Sequence, residues 1–369
     1  MPAVSSDEPA SVSAALGARL RAAIAAAGGW IGFDRFMSTA LYEPGLGYYA
    51  SGRQVFGTMP ASGSDFVTAP ELSPLFGATL AQAVAQALDE TGTDELWEFG
   101  AGSGALAAQL LRALGGRVRA CHVVELSATL RERQRARLAP WADRVRWHDR
   151  LPDHLAGVLV GNEVLDAMPV QLLAFDGAQW LERGVMLRGD DFAWSDRPTA
   201  LRPPLERGQF LPGAVTEVHP QAEAFVRTLA ERLTRGAAFF VDYGFPEHEY
   251  YHPQRHGGTL MCHRGHVADT DPLTDVGLKD ITAHVNFSAI ALAAQDAGLA
   301  VLGYTSQARF LLNCGLAERL HAADARERVA AQPLVLEHEM GELFKVIGLA
   351  AGEGFASIGF ATGDRSHTL

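Results

Sequence analysis

Cysteine is scarce in this chain of 369 residues, and the three cysteines that occur lie far apart. They are odd in number and share no short spacing: Cys121, Cys262 and Cys314. A disulfide framework needs paired cysteines in an oxidising compartment, and a structural zinc site usually needs closely spaced pairs. The sequence therefore argues against both kinds of site and favours a reducing compartment.

An excess of positive charge and long apolar runs are also missing. Acidic residues number 43 against 31 basic ones, which gives a net charge of -12. A nucleic-acid surface is therefore not expected, whereas a basic protein or peptide is a compatible partner. No run approaches the roughly 18 apolar residues of a membrane helix, and Asp7 and Glu8 stand where a signal or transit peptide lacks acids. The sequence predicts a cytoplasmic protein without a membrane span.

Histidines crowd one aperiodic stretch between residues 246 and 280: His248, His252, His256, His263 and His266. Together with Cys262 they raise the question of a zinc site. The spacings C-H-x-x-H and H-x-x-x-H lack the paired cysteines of structural zinc sites. We therefore predict no metal and interpret the stretch as a polar loop beside the functional edge.

A glycine-dense stretch, LWEFGAGSG at residues 96–104, joins a short apolar run to a helix-like segment. Its loop is predicted to bind a cofactor through Gly100, Ala101, Gly102, Ser103 and Gly104, because glycines allow close approach and expose amide groups at a helix N-terminus. The pattern G-x-G-x-x-A also fits a dinucleotide site. Glu98 favours another cofactor, since a carboxylate there repels a pyrophosphate but suits the ammonium group of S-adenosylmethionine (SAM).

Two further acids end the next two predicted strands. Glu125, followed by Leu126, comes roughly twenty residues after the glycine loop, where a Rossmann-type crossover places a carboxylate against ribose hydroxyls. Asp149 ends the following strand, where it could accept a hydrogen bond from an adenine amino group. Each acid alone could be a solvated residue at a strand end. Three acids in this order favour SAM over a pyridine dinucleotide.

Strand and helix patterns alternate from residue 94 onward, which predicts a parallel sheet covered by helices. Within this pattern, DITAHVNFSAIALAAQDAG predicts one helix over residues 280–298, and another helix is predicted near residues 315–331. Short apolar runs separated by Asp-Gly and Gly-Asp then predict antiparallel hairpins within residues 170–218. A long helix is predicted from Ser73, after a loop with Asp65, Thr68 and Glu71 that could lie over the cofactor. The predicted regions are an N-terminal helical cap (1–90), core segments (91–169, 219–245 and 281–369), an inserted β lobe (170–218) and a loop insertion at the active edge (246–280).

Polar residues also end the fourth predicted strand, GVLVGNEVLDAMPV. Asn162, Glu163 and Asp166 fall where the methyl group of SAM would point, and Asn162 is also predicted to contact the cofactor. Two carboxylates could orient a guanidinium, which is too basic to be deprotonated easily. The alternative is that Asp166 caps the next turn and Glu163 is solvated.

Nine stretches spread from Phe33 to Leu349 resemble the DUF185 family of MidA and NDUFAF7-type methyltransferases, which serve as assembly factors for respiratory complex I. The resemblance lies in LYEPGLGYYA, DFVTAPELSPLFG, EFGAGSG, VVELS, GNEVLDAMPV, VDYGFP, GTLMCHRGH, DITAHVNFSAI and MGELFKVIGL. It implies an α/β fold of the class I SAM-dependent methyltransferase type, with a Rossmann-like core, an N-terminal helical cap and an inserted β-rich lobe. One departure is Asn286, where the family pattern DITAHVDF has aspartate.

The resemblance implies transfer of a methyl group to a protein side chain, with arginine as the first expectation because the mitochondrial members are protein-arginine methyltransferases. The expected partner is a protein substrate, with a respiratory complex subunit and a homodimer as further expectations. The absence of an Arg-rich leader predicts a bacterial cytoplasmic member. Two alternatives stay open: a SAM-binding assembly factor without turnover, and an NAD-linked oxidoreductase.

Overall fold

The computed structural model describes residues 8–51, 67–204, 210–265 and 267–369. Asp65 and His266 lie outside these ranges. The strands are Trp30–Gly32 (β1), Glu95–Phe99 (β2), Ala120–Val124 (β3), Val145–His148 (β4), Leu155–Asn162 (β5), Gln171–Phe175 (β6), Trp180–Arg188 (β7), Asp191–Pro198 (β8), Val215–Val218 (β9), Leu233–Phe245 (β10), Met261–Arg264 (β11), Val267–Asp269 (β12), Asp280–Thr282 (β13), Val285–Asn286 (β14), Leu299–Ser306 (β15) and Phe344–Ala351 (β16). The α-helices are Glu8–Ala26 (α1), Phe33–Tyr42 (α2), Ala69–Leu72 (α3), Pro74–Thr91 (α4), Ala105–Leu114 (α5), Ala128–Arg137 (α6), Pro220–Arg232 (α7), Glu247–Tyr250 (α8), Phe287–Asp296 (α9), Gln307–Asn313 (α10), Leu316–Ala322 (α11) and Ala325–Ala331 (α12).

The central sheet runs in the order β15-β16-β10-β5-β2-β3-β4, with the short β14 paired to β10. Strands β10, β5, β2, β3 and β4 are parallel, and β16 is antiparallel to both of its neighbours. The chain leaves β2 toward β3 and β4 and then returns to the other side of β2 with β5. In open α/β sheets this reversal of strand order creates a crevice at the carboxyl ends of the strands, where ligands bind.

Alternating residues of the core strands pack against helices on two faces. Leu96 and Val158 belong to a cluster with α4 and α5, whereas Trp97 and Leu159 belong to a cluster with α7 and α9. Strand β5 is almost wholly buried, as expected for the interior of a parallel sheet covered on both sides. This double cover keeps the strand ends fixed relative to one another.

A second sheet joins the N-terminal region to the inserted segment. Strand β7 pairs antiparallel with β1, β6 and β8, and β9 pairs with β6. Helix α1 packs its buried face, including Leu16 and Leu20, into the same cluster as Val185 of β7. The contact between β1 and β7 requires glycine at Gly184, because a side-chain carbon there would overlap the Ile31 carbonyl. The predicted hairpins are confirmed, and the N-terminal cap shares their core.

Helix α4 begins where the sequence predicts. Ser73 caps it by accepting a hydrogen bond from the backbone N–H of Leu75 at 3.2 Å, and Pro74 occupies the first turn. Both residue types are favoured at these positions. Among the helices of the described ranges, none is long and apolar enough to cross a membrane.

The prediction of one helix over residues 280–298 is wrong for its first part. Residues 280–282 and 285–286 form β13 and β14, and helix α9 begins only at Phe287. Asn286 caps α9, since its Oδ1 accepts from the backbone N–H of Ala289 at 3.2 Å. Asparagine and aspartate serve equally well as N-caps. Asn286 is buried and does not line the cavity described below. Asparagine in place of aspartate therefore affects the N-cap of α9 and not the cavity wall.

Two other predicted boundaries also change. The helix predicted near residues 315–331 is divided into α11 and α12, because Asp324 and Glu327 form a capping box that starts a new helix. The stretch 246–280, predicted as a polar loop, contains α8 and a small sheet of β11, β12 and β13. Tyr250, Tyr251 and Cys262 of this stretch are buried.

Candidate functional site

One large cavity, of about 1390 Å³, lies at the carboxyl ends of the core strands beside the switch between β2 and β5. It is lined by all but one of the predicted site residues: Glu98, Gly100, Ala101, Gly102, Ser103, Glu125, Leu126, Asp149, Asn162, Glu163 and Asp166. The exception is Gly104, which lies at the start of α5, where a side chain would approach Gln134. The structure thus brings the residues of four separate strand ends to one cavity.

The glycine loop needs its glycines for conformation. Gly100, Gly102 and Gly104 have φ angles of 59°, 51° and 81°, in the left-handed region that other residues rarely adopt. The loop ends at the N-terminus of α5, where backbone N–H groups have no partner within the helix. It therefore presents donors and close backbone access to whatever occupies the cavity.

Glu98, near the end of β2, is only 3% exposed, and its Oε2 has no hydrogen-bond partner within the described part of the chain. Burial raises the pKa of this carboxyl to about 8, although a hydrogen bond with the Ala107 backbone acts against the rise, and the charge of Glu125 adds a smaller contribution. A buried acid without a partner is costly unless a ligand supplies a donor or a positive charge. Glu98 is therefore suited to a cationic group placed in the cavity.

Glu125, directly after β3, is held in place by two hydrogen bonds. Its Oε1 accepts from the backbone N–H of Ser127 at 2.9 Å and its Oε2 from Nε2 of Gln134 at 3.2 Å. Burial raises the pKa of Glu125, while these two bonds act against the rise. Leu126 beside it is 68% exposed and offers an apolar wall, and Asp149 is exposed after β4. All three residues line the cavity, and their contacts with ribose and adenine stay predictions.

Gln134 of α6 is a site residue that the sequence did not reveal. It is fully buried, its Nε2 also donates to the Gly102 carbonyl at 3.0 Å, and its Oε1 accepts from Nε1 of Trp147 at 3.0 Å. One side chain thus fixes the glycine loop relative to Glu125. Nothing in the sequence distinguishes it from the other polar residues of a strongly charged helix.

Replacing Gln134 by methionine is expected to lower the free energy of unfolding by about 3 kcal/mol, because three buried polar groups lose their partner while the volume stays similar. Weaker binding of the cofactor should accompany this loss, since the glycine loop is no longer fixed. Chemical denaturation and calorimetric titration measure the two effects. Gln295→Met, at an exposed position of α9, is the matched control; equal stability of both variants would contradict the assignment.

A short segment with α3 crosses the cavity next to the glycine loop. Thr68 and Pro70 line the cavity, and Glu71 accepts a hydrogen bond from the hydroxyl of Ser103. Arg137 donates to Glu71 at 2.6 Å and to Ser103 at 2.7 Å. Thr68 and Glu71 therefore lie beside the glycine loop, and their position over the cofactor stays a prediction.

The turn after β5 carries the second group of predicted residues. Glu163 has a φ angle of 54°, which is unusual for a residue other than glycine, and its backbone N–H donates to the Val241 carbonyl at 2.9 Å. Asn162 donates from Nδ2 to Oε1 of Glu163 at 2.9 Å. Oδ2 of Asp242, in β10, accepts from the backbone N–H groups of residues 164, 165 and 166 at 2.9–3.3 Å. This network holds the strained turn against β10.

Two carboxyl groups on this turn bind protons more tightly than usual. Burial raises the pKa of Glu163 to about 8, with a further contribution from the charge of Asp166. Burial also raises the pKa of Asp166 to about 6, although a hydrogen bond with Tyr243 lowers it. Perturbed carboxyls in a cavity are typical of functional sites. Glu163 is half-buried at the cavity wall and therefore not fully solvated. Asp166 is 4% exposed and hydrogen-bonds to the Ala167 backbone, which agrees with the capping role of the alternative.

Three residues from distant segments complete this wall. The hydroxyl of Tyr49 donates to Oδ1 of Asp280 at 2.8 Å, and the hydroxyl of Tyr42 donates to the Ala167 carbonyl at 2.8 Å. All three of Tyr42, Tyr49 and Asp280 line the cavity. Sequence reasoning missed them, and the only signal was their presence in stretches that carry the family resemblance.

The histidines do not form a metal centre in the described ranges. No group of three or more His, Cys, Asp or Glu side chains there could hold a metal ion. His263 lines the cavity, as does His284 after β13, whereas His248, His252 and His256 do not.

Comparison with known proteins gives consistent matches over most of the chain. Residues 79–305 match a family model described as "Putative S-adenosyl-L-methionine-dependent methyltransferase". A crystal structure of a Burkholderia thailandensis protein bound to S-adenosyl-homocysteine is 54% identical, covers 100% of both chains and superposes with a TM-score of 0.94. The mitochondrial protein arginine methyltransferase NDUFAF7 of Mus musculus is 30% identical over 352 residues, 83% of this chain and 76% of that protein. The Caenorhabditis elegans homolog is 28% identical over 329 residues, 77% and 73% respectively.

Proposed function

This chain belongs to that family of S-adenosyl-L-methionine-dependent methyltransferases, and we propose that it methylates a guanidinium nitrogen of arginine in a protein substrate. The proposal has two parts: which residues hold the cofactor, and which chemistry the other end of the cavity selects. Each part depends on groups that line the same cavity.

The residues at the glycine loop fit SAM. Oε2 of Glu98, which has no hydrogen-bond partner in the described ranges, is a buried acceptor for the ammonium group, and the loop backbone from Gly100 to Gly104 allows close approach. Glu125 is oriented for ribose hydroxyls, and Leu126 and Asp149 suit the adenine. When bound, SAM supplies an electrophilic methyl group on a sulfonium sulfur. The protein's part is to orient the acceptor nitrogen and to hold its charge.

The charge of the cavity wall carries the proposal for the substrate. Six carboxylates line the cavity, whereas Arg150 is the only arginine or lysine among its described lining residues. Oδ1 of Asn162 and Oδ1 of Asp166 are buried without a hydrogen-bond partner in the described ranges. A wall with six acids and one arginine favours a ligand that is positively charged and rich in donors. SAM supplies one positively charged group, its ammonium, at Glu98. The carboxylates of the turn after β5 would bind a second positively charged group.

A guanidinium meets the requirements of that turn. It keeps its charge at all physiological pH values and presents five N–H donors in a plane, so it can bond to Glu163 and Asp166 at the same time. Methyl transfer would break the bond between the methyl carbon and the sulfonium sulfur, form a carbon–nitrogen bond, leave S-adenosyl-homocysteine and release one proton from the nitrogen. A carboxylate with a pKa near neutrality, such as Glu163 or Asp166, is suited to accept that proton.

The names of the relatives support the arginine proposal without identifying the substrate. The NDUFAF7 proteins of mouse and C. elegans are named protein arginine methyltransferases. A protein substrate, and a subunit of a respiratory complex in particular, is therefore our proposal for this chain. A homodimer and a location in the bacterial cytoplasm also remain proposals.

Incubation with methyl-labelled SAM tests the function. The purified protein is added to extract from cells that lack it, and the labelled proteins are hydrolysed to amino acids. We expect label in methylarginine of a small number of proteins. Label in another amino acid would contradict the arginine proposal. Binding of SAM without any transfer would favour a SAM-binding assembly factor that does not turn over.

A further inference from the structure

His284 places a buried ring nitrogen at the cavity, and the proposed reaction assigns no role to this nitrogen. The side chain lines the cavity, and its Nδ1 has no hydrogen-bond partner among the residues described. A buried polar atom without a partner costs free energy, so it calls for an explanation. A ligand that donates a hydrogen bond to Nδ1 is one such explanation.

The imidazole ring is fixed by packing on both sides. It stacks on Phe245 at 5.3 Å with an interplanar angle of 6°, and it meets Tyr243 edge-on at 5.0 Å. The backbone N–H of His284 donates to Oγ1 of Thr259 at 3.0 Å. Arg255 lies over the Phe245 ring at 3.7 Å and supports the stack. A ring held in this way has a fixed direction for its Nδ1 lone pair.

The surroundings keep the ring neutral. Burial lowers the pKa of His284 to about 4, and the positive charges of Arg255 and Lys345 act in the same direction. A hydrogen bond with the Thr259 backbone opposes them. With no partner for Nδ1 in the described ranges, we place the ring proton on Nε2. Nδ1 is then an acceptor at neutral pH.

We propose that His284 is a specificity-determining residue whose Nδ1 accepts a hydrogen bond from the substrate guanidinium. Tyr243, which packs against the ring, hydrogen-bonds to Asp166 on the turn after β5. This connection places the acceptor beside the carboxylates that would hold the guanidinium. The inference rests on the proposed function, because it assumes an arginine in this part of the cavity.

Such an arrangement would favour arginine over lysine. The carboxylates of the β5 turn and Nδ1 of His284 are acceptors that line one cavity. A planar guanidinium donates hydrogen bonds from three nitrogens that point in different directions, whereas a lysine ammonium is a compact point charge with three donors on one nitrogen. The three donors of an ammonium lie on one atom, so we expect an ammonium held by the carboxylates to reach Nδ1 less well than a guanidinium does. Sites that hydrogen-bond a substrate group reject analogues that lack it much more strongly than apolar pockets do.

Two substitutions separate hydrogen bonding from ring packing. His284→Phe keeps a ring between Phe245 and Tyr243 but removes the acceptor. His284→Asn removes the ring but can place its amide oxygen where Nδ1 lies. We expect His284→Phe to raise the half-saturating concentration of extract substrate by tenfold to a hundredfold. His284→Asn should stay much closer to the natural protein, and both variants should bind SAM with unchanged affinity by calorimetry.

Two readouts decide the outcome. The first is methyl transfer to extract proteins as a function of extract concentration. The second is binding of an arginine tetrapeptide, against its lysine analogue, to the protein saturated with S-adenosyl-homocysteine. If the natural protein labels arginine but His284→Asn is the more impaired variant, the inference is overturned and the proposed function stands. If the natural protein neither labels arginine nor prefers the arginine peptide, both are overturned together.

Discussion

Replacing Glu163 by glutamine is expected to lower the rate of methyl transfer by a hundredfold or more, while SAM binds with nearly unchanged affinity. The substitution removes the negative charge next to the guanidinium and a proton acceptor, and each typically contributes a factor of a hundred or more to catalysis. The amide oxygen of glutamine can still accept the 2.9 Å hydrogen bond from Asn162, so the turn should keep its conformation. Transfer into extract proteins and calorimetric titration with SAM measure the two quantities.

The matched control is Glu223→Gln, which removes an acid of α7 outside the cavity that pairs with Arg227. Its transfer rate should equal that of the natural protein.

The pH profile gives a second check. Only the ionised carboxylate binds the guanidinium, and the pKa of Glu163 is raised to about 8. In the natural protein kcat/KM should therefore rise with pH up to about 8 and level off above it, and this rise should weaken in Glu163→Gln. Unchanged turnover would remove Glu163 from the mechanism.

The second large effect is expected at the other end of the cavity. Glu98→Gln should weaken SAM binding by roughly a hundredfold or more, since removing one member of a buried ion pair costs about 3–5 kcal/mol. The control is Glu95→Gln on the same strand, where the acid pairs with Arg119 away from the cavity. Calorimetric titration of both variants compares the affinities. Native affinity in Glu98→Gln would refute the assignment of the ammonium group to this residue.

The Glu98 carboxyl should also lose its proton to the solvent when SAM binds. At pH 6.5 the free protein carries the protonated acid, because burial raises its pKa to about 8. The ammonium group of SAM, an α-amino group with a pKa of about 8, is charged at this pH and favours the ionised carboxylate. Affinity should therefore increase with pH until the ammonium itself begins to lose its proton. Titrations in two buffers with different ionisation enthalpies reveal the release, and it should disappear in Glu98→Gln.

Much of the core could be predicted from local patterns. The Rossmann-like fold class, the SAM cofactor and the methyltransferase class are confirmed by the family match and by the similar crystal structure with S-adenosyl-homocysteine. The family match excludes the NAD-linked alternative. These predictions succeeded because strand ends, glycine turns and acids lie close together in sequence. Glu98 and the glycines of the loop are separated by only a few residues.

The other side of the site could not be predicted in the same way. Tyr49 and Asp280 meet at the cavity although they are 231 residues apart in sequence. His284 lies there against Tyr243 and Phe245, about 40 residues before it. No periodicity in the sequence predicts such contacts. The residues of the short strands β13 and β14 belong to a sequence pattern that resembles one continuous helix. Gln134 was missed because its three hydrogen bonds arise only when α6 packs against the loop. The roles assigned to the site residues remain predictions that the variants above test.

The pairing of β1 with β7 also determines the order in which the protein can fold during synthesis. Trp30 lies opposite Met186, so the partner of β1 is made about 150 residues later. The hairpins of β6, β7 and β8 close through short turns and can form as soon as they are made, whereas β1 must wait for them. Until then the apolar faces of α1 and α2 have no sheet to cover them. Docking of the N-terminal segment is therefore a late step, and it bears the entropic cost of closing a long loop.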